Sequence, residues 1–328
     1  MPRKFKKCII TGIGGSAGSY LAEYILNKDK KIKIYGFFRS VGYSQYLKKI
    51  YNNRITLYKV DIANFEKTKK IISKIKPDVI FHLASNADVK LSFQQPLKIV
   101  KNNVNITINL LEAIRDLKIN PLTIICSSSE VYGNVNKNDF PILETQDMKP
   151  VNPYAVSKCF QDMISQVYFK SYGLKIIITR MFSYSNPRRL NLFQTAFADQ
   201  IARSEYLWTK FKIKKHYLKH GNLKSIRSFI DIDDAMSAYW LAAKKGKIGE
   251  IYNISGNTTL SIKQVLNMFL LLSKIRITPK LDRNLLRPVD IMCQIPSVKK
   301  FKNHTGWKPI VSFKESISKI LEYRRKKI

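Results

Sequence analysis

The chain has 328 residues, of which 45% are apolar, and its 58 lysines and arginines against 23 acidic residues give a formal net charge of +35. No uncharged run approaches the roughly 20 residues that cross a bilayer, and glycines soon interrupt the apolar segment after the basic N-terminus, so neither a membrane span nor a signal peptide is expected. The lysines are spread along the chain without a nucleic-acid-binding motif, so no specific nucleic acid and no membrane partner is expected, whereas a general attraction for anionic substrates is.

The predicted elements alternate between strand and helix along the chain. Strands are predicted over residues 7–10, 33–38, 56–59, 79–83, 123–126 and 175–179, and helices over 18–26, 67–74, 100–117 and from after Ser157 to about Tyr172. This order predicts an α/β fold with a Rossmann-type, doubly wound parallel sheet. The regular pattern ends near Asn186. We therefore predict a dinucleotide-binding domain over 1–185 and a smaller, interleaved C-terminal α/β substrate lobe over 186–328, with segment exchange back to the first domain.

The first predicted strand runs into a glycine-rich loop. Gly12, Gly15 and Gly18 have GxxGxxG spacing between that strand and the helix that follows. Glycines suit this turn because a side chain would keep the backbone away from a pyrophosphate, whose charge a helix N-terminus favours. The pattern predicts a dinucleotide-binding loop, in which we include Ser16.

Residues at the ends of later strands indicate which dinucleotide binds. Arg39 follows the second strand, where an acid would favour NAD; its guanidinium could bind a 2′-phosphate, so NADP is predicted, with a solvated loop arginine as the alternative. Asp61, after the third strand, could accept a hydrogen bond from the adenine amino group or cap the next helix. Ile62 beside it, and Leu83 and Ala84 at the end of the fourth strand, are also assigned to the cofactor site.

Tyr154 and Lys158 in PYAVSK are one helical turn apart. Tyrosine, with an ordinary pKa near 10, is protonated at neutral pH, but an ammonium one turn away would stabilise the phenolate. Lys158 could also bind the nicotinamide ribose. Ser128, at the end of a buried strand, could hold the substrate oxygen that Tyr154 deprotonates. YxxxK alone could equally be a solvent-facing pair; the glycine loop and the serine cluster favour the catalytic interpretation.

Metal and disulfide chemistry are not predicted. The four cysteines are scattered without CxxC pairing, which favours buried thiols in a reducing compartment and hence a cytoplasmic location. His216 and His220 have helical i, i+4 spacing, but no third ligand lies nearby at motif spacing. His82 is assigned to a buried strand end beside the cofactor.

Five motifs carry a family resemblance: TGIGGSAG at 11–18, HLAS at 82–85, SSSEVYG at 127–133, PYAVSK at 153–158 and TGWKP at 305–309. Together they resemble the extended short-chain dehydrogenase/reductase family, which includes nucleotide-sugar epimerases, dehydratases and 4-keto reductases. Within it, the chain is most similar to GDP-mannose 4,6-dehydratases and the related GDP-4-keto-6-deoxy-mannose reductases, on TGIGGSAGSYLAEYIL at 11–26, NPRR at 186–189 and LRPVD at 286–290.

The resemblance implies an NADP-dependent GDP-mannose 4,6-dehydratase, a lyase that oxidises C4, eliminates water across C5 and C6, and returns the hydride to C6. It implies that Glu130 removes the C5 proton and assists loss of the C6 hydroxyl, although SSSEVYG also occurs in members that epimerise or reduce. The alternatives are GDP-4-keto-6-deoxy-mannose reductase, another nucleotide-sugar epimerase or dehydratase, and a non-catalytic dinucleotide- or nucleic-acid-binding protein.

The resemblance also implies substrate and subunit contacts. Arg227 and Arg287 match the family's nucleotide-binding arginines, whose planar forks suit phosphate oxygens. Ser183 stands where the family has an asparagine that contacts the sugar nucleotide. Arg188 and Arg189 resemble a loop that reaches a neighbouring subunit's cofactor, so a homodimer or homotetramer is expected, with a surface turn as the alternative.

Overall fold

A computed structural model describes residues 1–39, 46 and 52–328. The strands of its main sheet are β1 Lys7–Thr11, β2 Lys33–Phe38, β3 Ile55–Lys59, β4 Val79–His82, β5 Leu122–Ser128, β6 Ile176–Met181 and, later in the chain, β10 Ile251–Ile254. All neighbours are parallel, in the order β10-β6-β5-β4-β1-β2-β3. The first six strands have the 3-2-1-4-5-6 order of a Rossmann sheet, so the predicted fold class is confirmed.

Helices pack on both faces of this sheet. In chain order the described helices are α1 Ser16–Lys28, α2 Phe65–Ile75, α3 Val89–Gln94, α4 Pro96–Asp116, α5 Pro153–Tyr172, α6 Phe193–Phe211, α7 Ile232–Lys245, α8 Ile262–Leu271, α9 Lys299–Thr305 and α10 Phe313–Arg325. Successive strand residues face opposite layers: Ile10 and Phe81 pack with α1 and α7, whereas Ile9 and Ile80 pack with α2, α4 and α5. None of these helices is long and apolar enough to span a membrane.

The helix that carries PYAVSK begins earlier than the sequence pattern predicts. It starts at Pro153, because Pro153 fits the first helical position and the Asn152 side chain accepts a hydrogen bond from the Ala155 backbone N–H at 2.8 Å. Tyr154 and Lys158 therefore both belong to α5, in its first turns. The predicted start after Ser157 is therefore too late, because the helix already begins at Pro153.

The chain after β6 is divided between two places. Strand β10 extends the main sheet beside β6, and α7 packs against α1. The other strands, β7 Ser183–Ser185, β9 Ile226–Asp231, β11 Thr258–Ser261 and β13 Cys293–Gln294, form a second sheet, and β8 Tyr217–His220 pairs with β12 Thr278–Leu281. Helices α6, α8 and α10 enclose a separate apolar core there. The assignment of 1–185 to the cofactor and 186–328 to the substrate stays a prediction.

Candidate active site

The glycine loop joins β1 to α1 in a turn that has no room for side chains. Gly12 has a φ of +70°, and a Cβ there would lie 2.9 Å from Ala84 Cα; a Cβ on Gly18 would lie 2.7 Å from Ile13 Cα. Gly15 is the N-cap of α1, and no side chain in the described residues caps this helix. The remaining assigned residues are close in the fold: Ser16 begins α1, buried Ile62 follows β3 and half-buried Leu83 follows β4. The loop can therefore present helix amides to an anion.

Arg39 and Asp61 lie side by side at the carboxyl ends of β2 and β3. Arg39 Nη1 donates to Asn102 Oδ1 at 2.8 Å and lies 3.8 Å from Asp61 Oδ2, and both ionic side chains are largely exposed. The proposal that Asp61 caps the following helix is wrong, because the Asn64 side chain accepts the hydrogen bond from Lys67 N. Arg39 and Asp61 therefore lie next to each other, one residue after β2 and two residues after β3.

Ser128, Tyr154 and Lys158 meet where β5 ends and α5 begins. Ser128 lies close enough to the Tyr154 hydroxyl to lower its pKa, and Lys158 Nζ lies 6.0 Å from the centre of the Tyr154 ring. Both α5 residues are buried. Lys158 Nζ donates to Cys126 O at 2.7 Å and to Gln161 Oε1 at 2.8 Å. An ammonium has three donors, so one can serve a ligand.

The pKa values of Tyr154 and Lys158 move apart because both groups are buried. Burial raises the pKa of Tyr154 to about 12, against lowering contributions from Ser128 and Arg189. Burial likewise lowers the pKa of Lys158 to about 8. Burial is thus the largest influence on the Tyr154 pKa, and stabilisation of the phenolate by the Lys158 charge stays a prediction.

A buried chain of hydrogen bonds connects Lys158 to the strand before the glycine loop. Gln161 accepts from Lys158 and donates to Thr107 Oγ1 at 3.1 Å. His82 lies 3.3 Å from Thr107 Oγ1 through Nε2 and 2.9 Å from Thr11 Oγ1 through Nδ1. Burial lowers the pKa of His82 to about 3, so its ring is neutral at physiological pH. His82 thus supports the site from the interior, as the sequence predicts for a strand-end residue.

Glu130 lies just beyond Ser128, in the short 3₁₀ turn at residues 129–132. Its Oε2 accepts a hydrogen bond from Asn152 Nδ2 at 2.8 Å, while Asn152 Oδ1 caps α5. One asparagine therefore fixes both the carboxylate and the start of the helix that carries Tyr154. The sequence analysis missed Asn152, although an asparagine directly before a proline is a recognisable helix start.

The substrate residues that the resemblance implies lie on the second sheet and the loop beside it. Arg227, on β9, is buried and donates to Ile291 O at 2.6 Å; burial lowers its pKa, while the charge of Glu130 opposes that shift. Arg287 is more exposed and lies 3.9 Å from Asp290 Oδ1. Ser183 begins β7, which runs parallel to β9. The charges of Glu130 and Arg287 both influence the Arg227 pKa, so these three side chains lie near one another.

Arg188 and Arg189 both contact their own chain. Arg188 Nη2 donates to both carboxylate oxygens of Glu23 at 2.7 and 2.8 Å, and its guanidinium lies 3.8 Å from the Tyr20 ring centre. Arg189 Nη2 donates to Ala87 O at 2.6 Å, and its charge contributes to lowering the Tyr154 pKa. The proximity of Arg189 to Tyr154 was not predicted from the sequence, because only the fold brings the two residues together. A role of this loop at a neighbouring subunit's cofactor stays a prediction.

The two histidines with i, i+4 spacing are not on a helix. His216 precedes β8 and bonds Ile213 O through Nε2 at 2.8 Å, while His220 ends the strand and bonds Gly221 O through Nδ1 at 2.9 Å. Within the described residues, no group of three or more histidine, cysteine or acidic side chains is placed to hold a metal.

The fold and the site define the class of protein. A Rossmann sheet with a glycine loop after β1, a serine at the end of β5 and a tyrosine–lysine pair on the next helix is the arrangement of the extended short-chain dehydrogenase/reductases, and the resemblance is confirmed. A family model described as GDP-mannose 4,6 dehydratase matches residues 9–320. The chain belongs to this family.

Its relatives have diverse names. The dTDP-D-glucose 4,6-dehydratase of Dictyostelium discoideum is 31% identical over 283 residues, which cover 80% of this chain and 62% of that protein. The GDP-6-deoxy-D-mannose reductase of Pseudomonas aeruginosa is 28% identical over 246 residues, 75% of this chain and 79% of the relative. Among solved structures, UDP-glucuronic acid 4-epimerase from Bacillus cereus, in complex with UDP-glucuronic acid and NAD, has a TM-score of 0.85 at 25% identity and covers 98% of this chain and 100% of its own.

Proposed function

We propose that this protein is an NADP-dependent GDP-mannose 4,6-dehydratase that produces GDP-4-keto-6-deoxy-mannose. The family match supports a nucleotide-sugar enzyme, and the buried Ser128–Tyr154–Lys158 cluster supports proton transfer at a sugar hydroxyl. The observation that carries the dehydratase assignment is Glu130, held by Asn152 beside this cluster. Water elimination needs a second acid–base group, whereas oxidation or reduction at C4 does not.

The residues present fit a nicotinamide dinucleotide. The turn at Gly12 and Gly18 leaves the α1 amides accessible to a pyrophosphate, and Lys158 can donate to a ribose hydroxyl. The exposed guanidinium of Arg39 supports NADP over NAD, because it can reorient from Asp61 towards a 2′-phosphate. When bound, the dinucleotide supplies the hydride acceptor for C4 and the hydride donor for C6.

The proton at O4 is assigned to Tyr154. Ser128 holds the O4 oxygen by a hydrogen bond, and Tyr154, as the phenolate, takes the O4 proton while C4 becomes a ketone. The Ser128 and Arg189 contributions that lower the Tyr154 pKa favour this form, although burial opposes it. The new ketone acidifies the hydrogen at C5, which prepares the elimination.

Glu130 is assigned to the elimination. Its carboxylate takes the C5 proton, and its acid form then protonates the C6 hydroxyl, which leaves as water. When C6 is reduced, C5 regains one proton, and Tyr154 gives up the proton that it took from O4. The net change is therefore the loss of one water. The hydrogen bond from Asn152 keeps the carboxylate oriented through both transfers.

The diphosphate of the substrate is assigned to Arg227 and Arg287. Arg227 is buried and pinned by Ile291 O, so it is preorganised, whereas Arg287 is more exposed and can close on the ligand. Ser183 takes the sugar-nucleotide contact, with a hydroxyl in place of the asparagine amide found in the family. The guanine base and mannose are the finer part of the proposal.

A second candidate is GDP-4-keto-6-deoxy-mannose reductase, favoured by the Pseudomonas aeruginosa relative. This reaction uses the tyrosine–lysine pair and consumes NADPH, and it needs no base at C5. Glu130 is the residue that separates the two reactions.

The test is to incubate the protein with GDP-mannose and catalytic NADP and to follow the sugar nucleotide by mass spectrometry. Loss of one water without NADPH accumulation supports the dehydratase. Glu130→Gln, which keeps an oxygen for Asn152, should block water loss, and Tyr154→Phe should abolish turnover, while Tyr172→Phe on the same helix is the matched control. Normal turnover by Glu130→Gln would remove the elimination role. NADPH-dependent reduction of GDP-4-keto-6-deoxy-mannose without dehydration of GDP-mannose would select the reductase.

We also propose a homo-oligomer, dimer or tetramer, in the cytoplasm. Val156, Met163 and Val167 are exposed apolar residues on α5, and pairing of this helix with its counterpart in a second copy would bury them. Size-exclusion chromatography with light scattering measures the state, and Met163→Glu should shift it to monomer. A cytoplasmic location stays a prediction.

A further inference from the structure

The end of α6 and the turn after it expose a basic and apolar surface. Residues 206–215, YLWTKFKIKK, are all exposed. They contain four lysines and no acid, and five large apolar or aromatic residues: Tyr206, Leu207, Trp208, Phe211 and Ile213. We refer to these ten residues as the 206–215 segment.

The fold holds this segment in place without burying it. The last buried residue of α6 is Glu205, which accepts from Arg325 Nη2 at 2.6 Å. The helix continues for six more residues to Phe211, and its C-cap is Lys212, whose φ is +55° and whose N–H donates to Trp208 O at 3.0 Å. The apolar side chains of the 206–215 segment belong to none of the apolar cores of the described residues, and they project from the surface.

Lysines lie against the aromatic rings rather than opposite acids. Lys210 Nζ is 5.6 Å from the Phe211 ring centre, and Lys212 Nζ is 5.8 Å from that of Trp208. From the neighbouring strand β12, Lys280 Nζ lies 5.5 Å from the Tyr217 ring centre. The surface therefore combines positive charge with rings that prefer a partly apolar environment.

We propose that the 206–215 segment attaches this protein peripherally to anionic lipid bilayers. The lysines contact headgroup phosphates, while Leu207, Trp208 and Phe211 enter the boundary between headgroups and acyl chains. Charge complementarity selects this occupant. None of the four lysines forms an ion pair with an acidic residue in the described part of the chain, so the segment would repel its counterpart in a second copy. The aliphatic Leu207 and Ile213 have no stacking role on a nucleic acid. The expectation of no membrane partner rested on the lack of a spanning segment, which peripheral attachment does not need.

The test uses sedimentation with vesicles of phosphatidylglycerol and phosphatidylcholine, compared with phosphatidylcholine alone. Trp208 reports insertion, because Trp240 and Trp307, the other two tryptophans, are buried. We expect binding to the anionic vesicles with a blue shift of tryptophan emission. Replacing the four lysines of the segment by glutamine should weaken binding by roughly 100-fold or more. Leu207→Gln with Phe211→Gln should weaken it by about tenfold and reduce the shift.

The matched control replaces four exposed lysines on other elements, Lys30, Lys67, Lys70 and Lys74, by glutamine. Equal loss of binding in both lysine variants would overturn the proposal, because the total charge of the protein would then explain the attraction. Absence of vesicle binding, or binding without a Trp208 shift, would overturn it as well. A Trp208 shift with polyuridylate instead of vesicles would assign the surface to nucleic acid, and self-association lost in the Leu207 and Phe211 double variant would assign it to a second copy.

Discussion

Replacing Lys158 by methionine tests whether this lysine is held in the interior at an electrostatic cost. Its pKa falls from 10.5 to about 8 on burial, so at pH 7 the folded state carries a charged group that the unfolded state solvates better. At about 1.4 kcal/mol per unit, that cost is about 3 kcal/mol. Methionine cannot replace the hydrogen bonds that Lys158 donates to Cys126 O and Gln161 Oε1, and their loss lowers the stability of the variant.

The pH dependence isolates the electrostatic part. Between the folded pKa near 8 and the unfolded value of 10.5, the unfolded state binds more protons at Lys158 than the folded state, so stability rises with pH. The free energy of unfolding of the wild type, minus that of Lys158→Met, should increase by about 2 kcal/mol from pH 7 to pH 9.5.

The assay is urea denaturation of both proteins across this pH range, followed by circular dichroism. Lys70→Met, which removes an exposed lysine from α2, is the matched control. Because other titrating groups cancel in the difference between wild type and variant, a flat or falling difference would refute the argument that burial shifts Lys158.

Three further substitutions test the remainder of the site. Gly18→Ala forces a Cβ against the backbone of Gly12 and Ile13; it should lower stability by about 1–3 kcal/mol and weaken dinucleotide binding, and an unchanged melting temperature and dissociation constant would show that the turn relaxes. Arg39→Ala should weaken NADP binding by about tenfold or more with little change for NAD, as measured by calorimetry; equal losses would mean that Arg39 does not select the phosphate. Arg189→Met should move the pH dependence of kcat to higher pH, because the Arg189 charge lowers the Tyr154 pKa in the wild type. Arg189→Lys should restore most of the wild-type pH dependence, and an unchanged pH dependence in Arg189→Met would exclude this role.

The sequence by itself determined the local parts of this protein. Short apolar runs that alternate with amphipathic stretches predict a parallel sheet, and the glycine spacing after the first strand predicts a turn without side chains, because both depend on neighbours within a few residues. The same holds for Tyr154 and Lys158, which one helix places a turn apart. Asn152 was equally visible as a cap, although its second contact with Glu130 was not.

Only the tertiary structure decided what distant residues do to one another. The fold brings Arg189 near Tyr154 and Arg227 near Glu130, close enough for the charges to shift the pKa values, and no local pattern encodes this proximity. The direction of the Tyr154 pKa shift was also decided there, because it depends on how much water the surrounding elements exclude rather than on the spacing to Lys158. The local sequence pattern identifies Tyr154 and Lys158, and their burial in the fold decides the direction in which their pKa values shift.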